Sequence, residues 1–236
     1  MTEGVDVGTA IVSYVEPHAG MAREFNRWYE RDHFPAAVLA GPGVFSGARF
    51  VATRECKSVR APGVLFGDPA IGSYLSVAWF LPGAKAGWDA WVGAQMKALV
   101  ADGRMFAGRD HLHTAVYEYA WEVGIAEAPA APMVLDRRFP GVVAIAVAGE
   151  DDTERCARAI VAPELPVVVT LRREQVLVSV LDDVAPHVLM LAFVDGDVLD
   201  VWRRRVEPAL SSLAGVGFAG PFLATVPGTD TYVDDL

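Results

Sequence analysis

The sequence predicts an α+β protein made of two β-α-β-β-α-β repeats, the ferredoxin-like unit, whose sheets pack against each other. Three observations predict this architecture. Strand-like and helix-like segments follow one another in the same order in both halves of the 236-residue chain. The segments LSVAWFLPGAKAGWDAW and LMLAFVDGDVLDVWRRR align without gaps, which pairs Ala78 with Ala192 and Trp88 with Trp202. Residues 125–140, rich in proline and alanine, have the composition of a linker between the halves.

The first repeat spans residues 1–124 and the second spans residues 141–236. Segments rich in β-forming residues, separated by turn residues, predict the elements of each repeat. In the first repeat, strands are predicted at 5–15, 44–53, 73–81 and 113–123, and helices at 21–33 and 85–100. In the second, strands are predicted at 141–148, 187–194 and 216–226, one or two strands at 165–180, and helices at 151–161 and 197–213. Residues 55–72 match neither period and are expected to form a lid over a functional site.

The composition favours a compact globular protein and excludes several classes of partner. Hydrophobic residues make up 53% of the chain and charged residues 21%, which is enough for a sizeable core. The net charge of −10 and the lack of a Lys/Arg cluster argue against a nucleic acid or an anionic membrane as partner. Two distant cysteines, Cys56 and Cys156, make no disulfide framework. With no signal-peptide pattern or long apolar run, the protein is expected to be cytoplasmic.

The helix predicted at 21–33 places ionisable groups on a face that should be buried. On this face lie Phe25, Trp28, Tyr29, Asp32 and His33. The helix is expected to end before Pro35, because a residue that precedes proline is biased to extended geometry. A buried charge without a partner is costly, so this face is the main indication of a function.

This part of the chain contains WYERDHFP followed by GPGVFSGARF. The Trp-Tyr pair, His33, Pro35 and the Pro-Gly-Val turn into a strand with Arg49 resemble the EthD-like branch of the dimeric α+β barrel superfamily. The resemblance covers roughly the first 120 residues and implies a small barrel whose interior holds a hydrophobic metabolite. Its members differ in chemistry, so it implies a pocket rather than a reaction. Because the chain reads as a fused duplicate, one chain is expected to form the pseudo-dimeric barrel.

The catalytic candidates lie in the first repeat, because the corresponding helix of the second reads DDTERCARAIVAPEL and its site is expected to be degenerate. His33 leads, since an imidazole exchanges protons near neutral pH; the alternative is a core histidine bonded to a backbone carbonyl. Asp32, about 100° round the helix from His33, either touches the same ligand or has a structural role, in which it bonds Arg49 or caps a turn. Tyr29, one turn before His33, reaches either a ligand or a backbone group.

Further residues are expected to contact the substrate. They are Trp28, Arg49, Trp79, Trp88, Trp91, His111 and His113. Arg49 is either an anion clamp or, as the preferred interpretation, the ion-pair partner of Asp32. His111 and His113 are spaced for one face of a strand, which permits a shared metal ion, but without nearby cysteines no metal site is expected.

The motifs of P-loops, dinucleotide-binding folds, serine hydrolases and zinc proteases are absent from the sequence. We therefore expect a cofactor-independent enzyme of secondary or aromatic metabolism that acts on a hydrophobic aromatic or polyketide-like metabolite by proton transfer at His33. Isomerisation, dehydration, cyclisation, decarboxylation and cofactor-free oxygenation all stay open. The alternative is a non-catalytic binder or carrier of a hydrophobic small molecule, and the resemblance leaves haem as a weaker cofactor alternative. The chain is expected to be a monomeric pseudo-dimer or a homodimer.

Overall fold

The computed structural model describes residues 6–61, 63, 65–125, 135, 137–181 and 184–236. Its strands are β1 (Thr9–Pro17), β2 (Val44–Val51), β3 (Tyr74–Phe80), β4 (Arg109–Gly124), β5 (Gly141–Val147), β6 (Val167–Val178), β7 (Val188–Val194) and β8 (Val216–Ala224). They form a closed antiparallel barrel in the order β1-β3-β2-β8-β5-β7-β6-β4. The predicted α+β class is confirmed. The start of the strand predicted at 5–15 and most of the predicted linker, residues 126–134 and 136, lie outside the described residues.

Short helices surround the barrel. The first helix, α1 (Ala22–Trp28), continues as a π-helix (Tyr29–Leu39). It is followed by α2 (Arg54–Ser58), α3 (Lys85–Ala101) and α4 (Thr153–Ile160). The last helical segment begins with α5 (Val198–Val201) and continues through a π-helix (Trp202–Val206) and α6 (Glu207–Ala209) into a 3-10 turn (Leu210–Ser212). None of the described helices is long and apolar enough to cross a bilayer. Cys56 and Cys156 are free thiols in buried positions, in agreement with the absence of a disulfide framework.

The interior of the barrel is filled by its own side chains. Trp79, Tyr117 and Phe222 point into it, and none is more than 1% exposed. The space that remains beside Tyr14 and His113 is about 10 Å³, roughly the volume that a single water needs. This part of the barrel interior therefore has no room for a metabolite.

The helix that carries the sequence motif packs on the outside of the barrel. Phe25, Tyr29 and Phe34 form a cluster with Val15 and Val51 on the outer face of the first four strands. These helix residues are at most 8% exposed, which explains the apolar stripe in the sequence. Any site on this helix must accordingly lie between the helix and the outer face of the sheet.

The prediction that the helix ends before Pro35 is wrong. The helix runs through Pro35 to Leu39 as a π-helix, and the amide of Ala40 donates to the carbonyl of Pro35 at 3.0 Å, an i→i+5 bond. In an α-helix, the proline ring would clash with the carbonyl of residue i−4. The wider turn of a π-helix relieves that clash and places residues five apart over one another.

The predicted lid, residues 55–72, is instead a plug at one end of the barrel. Its backbone pairs with β8, where the amide of Ala61 donates to Ala219 at 2.9 Å. The fit is close: a Cβ at Gly63 would lie 2.1 Å from the carbonyl oxygen of Gly217. Phe66 closes the barrel from within. These contacts hold the described part of the segment against the strands, away from the motif helix. Residues 62 and 64 lie outside the described residues.

Candidate active site

A row of polar side chains crosses the outer face of the sheet beneath the motif helix. Arg49 of β2, Ser76 of β3, Ser13 of β1 and Thr114 of β4 are consecutive partners in the strand register. Each is 7–8% exposed. Polar groups buried in this way require hydrogen bonds, so a row of them under a helix indicates a site rather than simple packing.

Tyr29 connects the helix to this row. Its hydroxyl and the Ser76 hydroxyl form a hydrogen bond of 2.8 Å, and the Arg49 guanidinium lies 4.5 Å from the centre of its ring. Burial raises the pKa of Tyr29, an effect that the Ser76 hydrogen bond and the charge of Arg49 oppose. Tyr29 is therefore a neutral phenol at physiological pH.

His33 lies beside Tyr29 and is stacked on Trp28, with ring centres 4.5 Å apart and an interplanar angle of 23°. The two residues are five apart, so the π-helix creates this stacked pair. The Nδ1 atom of His33 is buried and has no hydrogen-bond partner among the described residues. Burial, followed by the positive charge of Arg109, lowers the pKa of His33 to about 4. His33 is accordingly neutral at pH 7 and a weak base in the free protein.

Arg109 and His111 complete the cluster from the first residues of β4. Arg109 Nε donates to His111 Nε2 at 3.2 Å, and His111 Nδ1 lies 3.0 Å from the Thr114 hydroxyl. Because Nε2 accepts, the neutral His111 carries its proton on Nδ1 and donates it to Thr114. Burial lowers the pKa of His111 to about 4. The Arg109 guanidinium lies 4.5 Å above the Trp28 ring and makes no ion pair with any described residue.

The preferred pairing of Asp32 with Arg49 is wrong. Asp32 binds Arg104, whose Nε lies 3.1 Å from both carboxylate oxygens, and this hydrogen bond lowers the pKa of Asp32. Arg49 donates only to the side chain of Asn26 at 3.3 Å, and its Nη1 is buried without a partner in the described part of the chain. Burial lowers the pKa of Arg49. Neither Arg49 nor Arg109 makes an ion pair with a described carboxylate, so both guanidinium charges lack a directly bound counter-charge there.

His111 and His113 do not share a face of β4, contrary to the sequence prediction. In the pairing of β4 with β1, His113 is opposite Tyr14 and His111 is opposite Val15, which leaves Leu112 as an extra residue in a β-bulge. A bulge breaks the alternation of side chains along a strand. His111 therefore faces the helix, whereas His113 points into the barrel. No group of three or more metal-ligating side chains occurs among the residues that the structure describes.

Inside the barrel, His113 meets His187, which the sequence pattern marked only as a strand start. The two rings are 5.5 Å apart. His187 Nδ1 donates to the carbonyl of Ala185 at 2.9 Å, so Nε2 accepts from the Tyr117 hydroxyl at 2.7 Å. Both ring nitrogens of His113 are buried without a described partner. This pair is structural, since the space beside it is only about 10 Å³.

The structure brings together only part of the set expected to contact substrate. Trp28 stacks on His33 and forms a wall of the cluster, and its Nε1 donates to the carbonyl of Arg104 at 2.7 Å. Trp79 lies in the barrel interior. Trp88 and Trp91 belong to α3 and pack on a separate patch of the outer face. The two tryptophans of α3 and Trp79 therefore support the fold and do not adjoin His33.

A cavity of about 550 Å³ opens next to this cluster, between β2 and the end of β8. Its walls include Phe50, Phe139, Phe193 and Arg49. The described residues that line it include no His, Cys, Met or Tyr. A haem iron needs an axial ligand of one of these types, so this cavity does not fit haem.

No family model and no curated protein matches this sequence. The fold does match solved structures. A crystal structure of an anthrone oxidase-like protein aligns with 94% of this chain and 92% of its own length, at a TM-score of 0.50 and 10% identity. A candidate chlorite dismutase aligns over 98% of this chain and all of its own length, at a TM-score of 0.54 and 11% identity. Identity at this level shows the fold alone, and the chain therefore shares the dimeric α+β barrel fold of these two proteins.

Proposed function

We propose that the chain is a cofactor-independent enzyme that transfers a proton on a hydrophobic, aromatic or polyketide-like metabolite at His33. Two neighbouring groups support this proposal. One is a neutral imidazole whose Nδ1 has no described partner, and the other is Arg109, a half-buried cation without a described carboxylate. A base beside an unpaired cation can remove a proton and stabilise the oxyanion that forms.

The proposed step begins with a C–H group that is next to a carbonyl carbon of the substrate or conjugated to it through an aromatic ring. A ring nitrogen of His33 accepts the proton, and the electron pair of the C–H bond moves to the carbonyl oxygen to give an enolate. Arg109 stabilises that oxyanion. Protonated His33 then returns the proton to carbon at another position, which gives isomerisation. Alternatively it gives the proton to a β-hydroxyl group of the substrate, whose C–O bond breaks as the enolate electron pair forms a C=C bond and water leaves, which gives dehydration. The negative charge of the enolate raises the pKa of His33 in the complex, and this offsets the low value in the free protein.

Neighbouring residues have supporting roles in this proposal. Trp28 forms the wall on which His33 stacks. Tyr29 also contacts His33, and its hydrogen bond to Ser76 fixes the position of the Tyr29 ring. Asp32 acts only at a distance: its charge raises the pKa of His33, but Arg104 occupies the carboxylate. Asp32 is therefore proposed to adjust the basicity of His33 rather than to contact the substrate.

Anthrone is a suitable probe, because its methylene group is enolisable and because an anthrone oxidase-like protein shares this fold. In D₂O under argon, the wild-type protein is expected to catalyse exchange of the methylene protons, followed by NMR. His33→Gln is expected to slow the catalysed exchange about 10²- to 10⁴-fold. Arg31→Gln, which removes an exposed charge from the same helix, serves as the matched control.

The proposal fails if His33→Gln exchanges protons as fast as the wild-type protein while its melting temperature is unchanged. Oxygen consumption in air would show whether the enolate is also oxygenated.

Binding without turnover is the second candidate function. The favouring observation is the pKa of His33, which at about 4 makes it a weak base, while Asp32 is held by Arg104. In that case a hydrophobic anion would bind saturably at the cluster, and the wild-type protein would give no exchange above the rate in buffer.

We also propose that the chain is a fused tandem of two ferredoxin-like repeats, with the active site in the first, and that its motif belongs to the EthD-like branch. The strand order supports the duplication, because β4-β1-β3-β2 in the first half corresponds to β8-β5-β7-β6 in the second. Trp88 and Trp202, which the internal alignment pairs, are both buried under the outer helices. Only the first half supplies a histidine on its first helix.

A further inference from the structure

The two seams that join the halves of the barrel differ. At one seam, β4 pairs with β6 from Thr114 to Gly124. At the other, β2 pairs with β8 only at Phe50 and Val51. Residues 44–48 of β2 therefore have a strand partner on one side only, and the cavity described above lies along this open edge.

The open seam has a cause in the sequence of the C-terminal segment. After β8 the chain reaches Pro227, which has no amide hydrogen to donate to a neighbouring strand. The chain then turns onto the motif helix, where Asp230 binds Arg23 at 3.0 Å and the amide of Gly228 binds Glu30. The residues that would extend β8 along β2 are thus used elsewhere, which leaves the gap of about 550 Å³.

The lining of this seam cavity combines aromatic walls with three arginines, Arg49, Arg137 and Arg138, and one carboxylate, Glu30. Phe50, Phe139 and Phe193 supply the walls. Arg49 lines the cavity, is 8% exposed, and has an Nη1 without a partner among the described residues. Arg138 lines it as well. Glu30 also lines the cavity and its charge raises the pKa of Arg49, but its carboxylate accepts from the amide of Gly228 and makes no described hydrogen bond to Arg49. A buried guanidinium that is not hydrogen-bonded to an anion is costly in the free protein, and this favours an anionic ligand in the cavity.

We propose that the seam cavity binds an aromatic carboxylate, with its rings against the phenylalanines and its carboxylate on Arg49 and Arg138. The volume lies within the range of roughly 300–1,000 Å³ that is usual for small-molecule sites. A planar carboxylate matches the two parallel donors of a guanidinium.

This site is separate from the proposed active site, although the two are neighbours. Arg49 lies on the ring of Tyr29, and Tyr29 in turn contacts His33 with ring centres 5.2 Å apart. His33 itself does not line the cavity. Binding in the seam is therefore expected to be independent of His33.

The test uses 2-naphthoate as the probe and isothermal titration calorimetry on the full chain. We expect saturable binding of 2-naphthoate and at least tenfold weaker binding of the neutral 2-naphthamide. Arg49→Met and Arg138→Gln are each expected to weaken 2-naphthoate binding roughly tenfold or more, because each removes a charge-assisted hydrogen bond. Ala224→Phe, which adds a ring inside the cavity, is expected to abolish binding.

Controls separate this site from the rest of the molecule. Arg31→Gln and Ala98→Phe change exposed positions outside the cavity and should leave binding intact. His33→Gln should also leave it intact, so a failure of the proposed catalysis would not affect this result. The proposal is overturned if 2-naphthoate does not bind saturably, if 2-naphthamide binds equally well, or if folded Ala224→Phe binds like the wild-type protein.

Discussion

Acidification from pH 6.5 to about pH 4.5 is expected to remove about 5 kcal/mol of unfolding free energy through His113 and His187 alone. These side chains are 2% and 5% exposed. Burial lowers their pKa from 6.5 to about 3 and about 4. Below pH 6.5 these two histidines therefore bind protons in the unfolded chain but stay neutral in the folded barrel. The stabilisation is complete above pH 6.5 and is lost as the pH falls towards 4.

His33 and His111 add to this loss, because burial lowers the pKa of both to about 4. Since a typical domain has only about 5–15 kcal/mol of stability, unfolding at mildly acid pH is expected.

Urea unfolding measured between pH 7 and pH 5 checks the effect. His113→Leu should reduce the slope of unfolding free energy against pH by about one proton, roughly 1.4 kcal/mol per pH unit. The variant loses no hydrogen bond to the described residues, because neither ring nitrogen of His113 has a partner there. His18→Gln, at an exposed position, is the control. A stability that does not change between pH 7 and pH 5 would contradict the burial of these histidines.

Removal of the Arg60 guanidinium is expected to destabilise the protein by about 3–5 kcal/mol. Arg60 is 7% exposed and holds the plug segment to the barrel. Its Nη1 donates to the carbonyls of Pro69 and Ile71 at 2.8 and 2.6 Å, and its Nη2 donates to Gly72 at 2.8 Å. Arg60→Met preserves most of the stem but leaves the carbonyls of Pro69 and Gly72 without this donor, while Ile71 keeps its bond from the Tyr14 hydroxyl. The expected loss in melting temperature is roughly 6–20 °C.

Differential scanning calorimetry of Arg60→Met against Arg31→Met measures this loss. Arg31 is exposed, so its replacement should have little effect on the melting temperature. Arg60→Lys should recover part of the loss, because an ammonium group can still donate to some of the carbonyls. If residues 55–72 formed an open lid, the segment would not need the Arg60 guanidinium. The melting temperature of Arg60→Met would then lie within about 2 °C of the wild-type value.

The order of strands and helices could be predicted from the sequence because it rests on local signals. Every predicted strand and helix overlaps an observed element. Period-two and period-3.6 patterns, together with turn residues such as Gly43, are contained in short segments of the chain. The short helix α2 was missed, because it lies in a Gly/Pro-rich stretch without a clear period.

The candidate site was only partly predictable. Trp28, Tyr29 and His33 could be identified because they share one helix face. The stacking of His33 on Trp28 could not be predicted, because it depends on a π-helix. The spacing of the apolar residues indicates only an ordinary α-helix. Arg109 was not singled out, since its place next to His33 depends on how β4 packs beside the motif helix.

Long-range pairings were the least predictable features. The partner of Asp32 is Arg104, which is 72 residues away. The separation of His111 from His113 depends on a β-bulge at Leu112, for which the sequence has no marker such as glycine. Lone polar residues in apolar strands, such as Ser13 and Ser76, were a usable signal that a polar site lies beneath the helix.

The central claim is that His33 is a neutral base beside an unpaired cation. The most direct measurement is an NMR titration of the imidazole ¹⁵N and ¹³C resonances, with His33 assigned by the loss of its signals in His33→Gln. The structure predicts a pKa of about 4 and a neutral ring throughout the physiological range. A pKa at or above the ordinary value of about 6.5 would contradict the claim, because it would mean that the ring is solvated or is paired with a carboxylate.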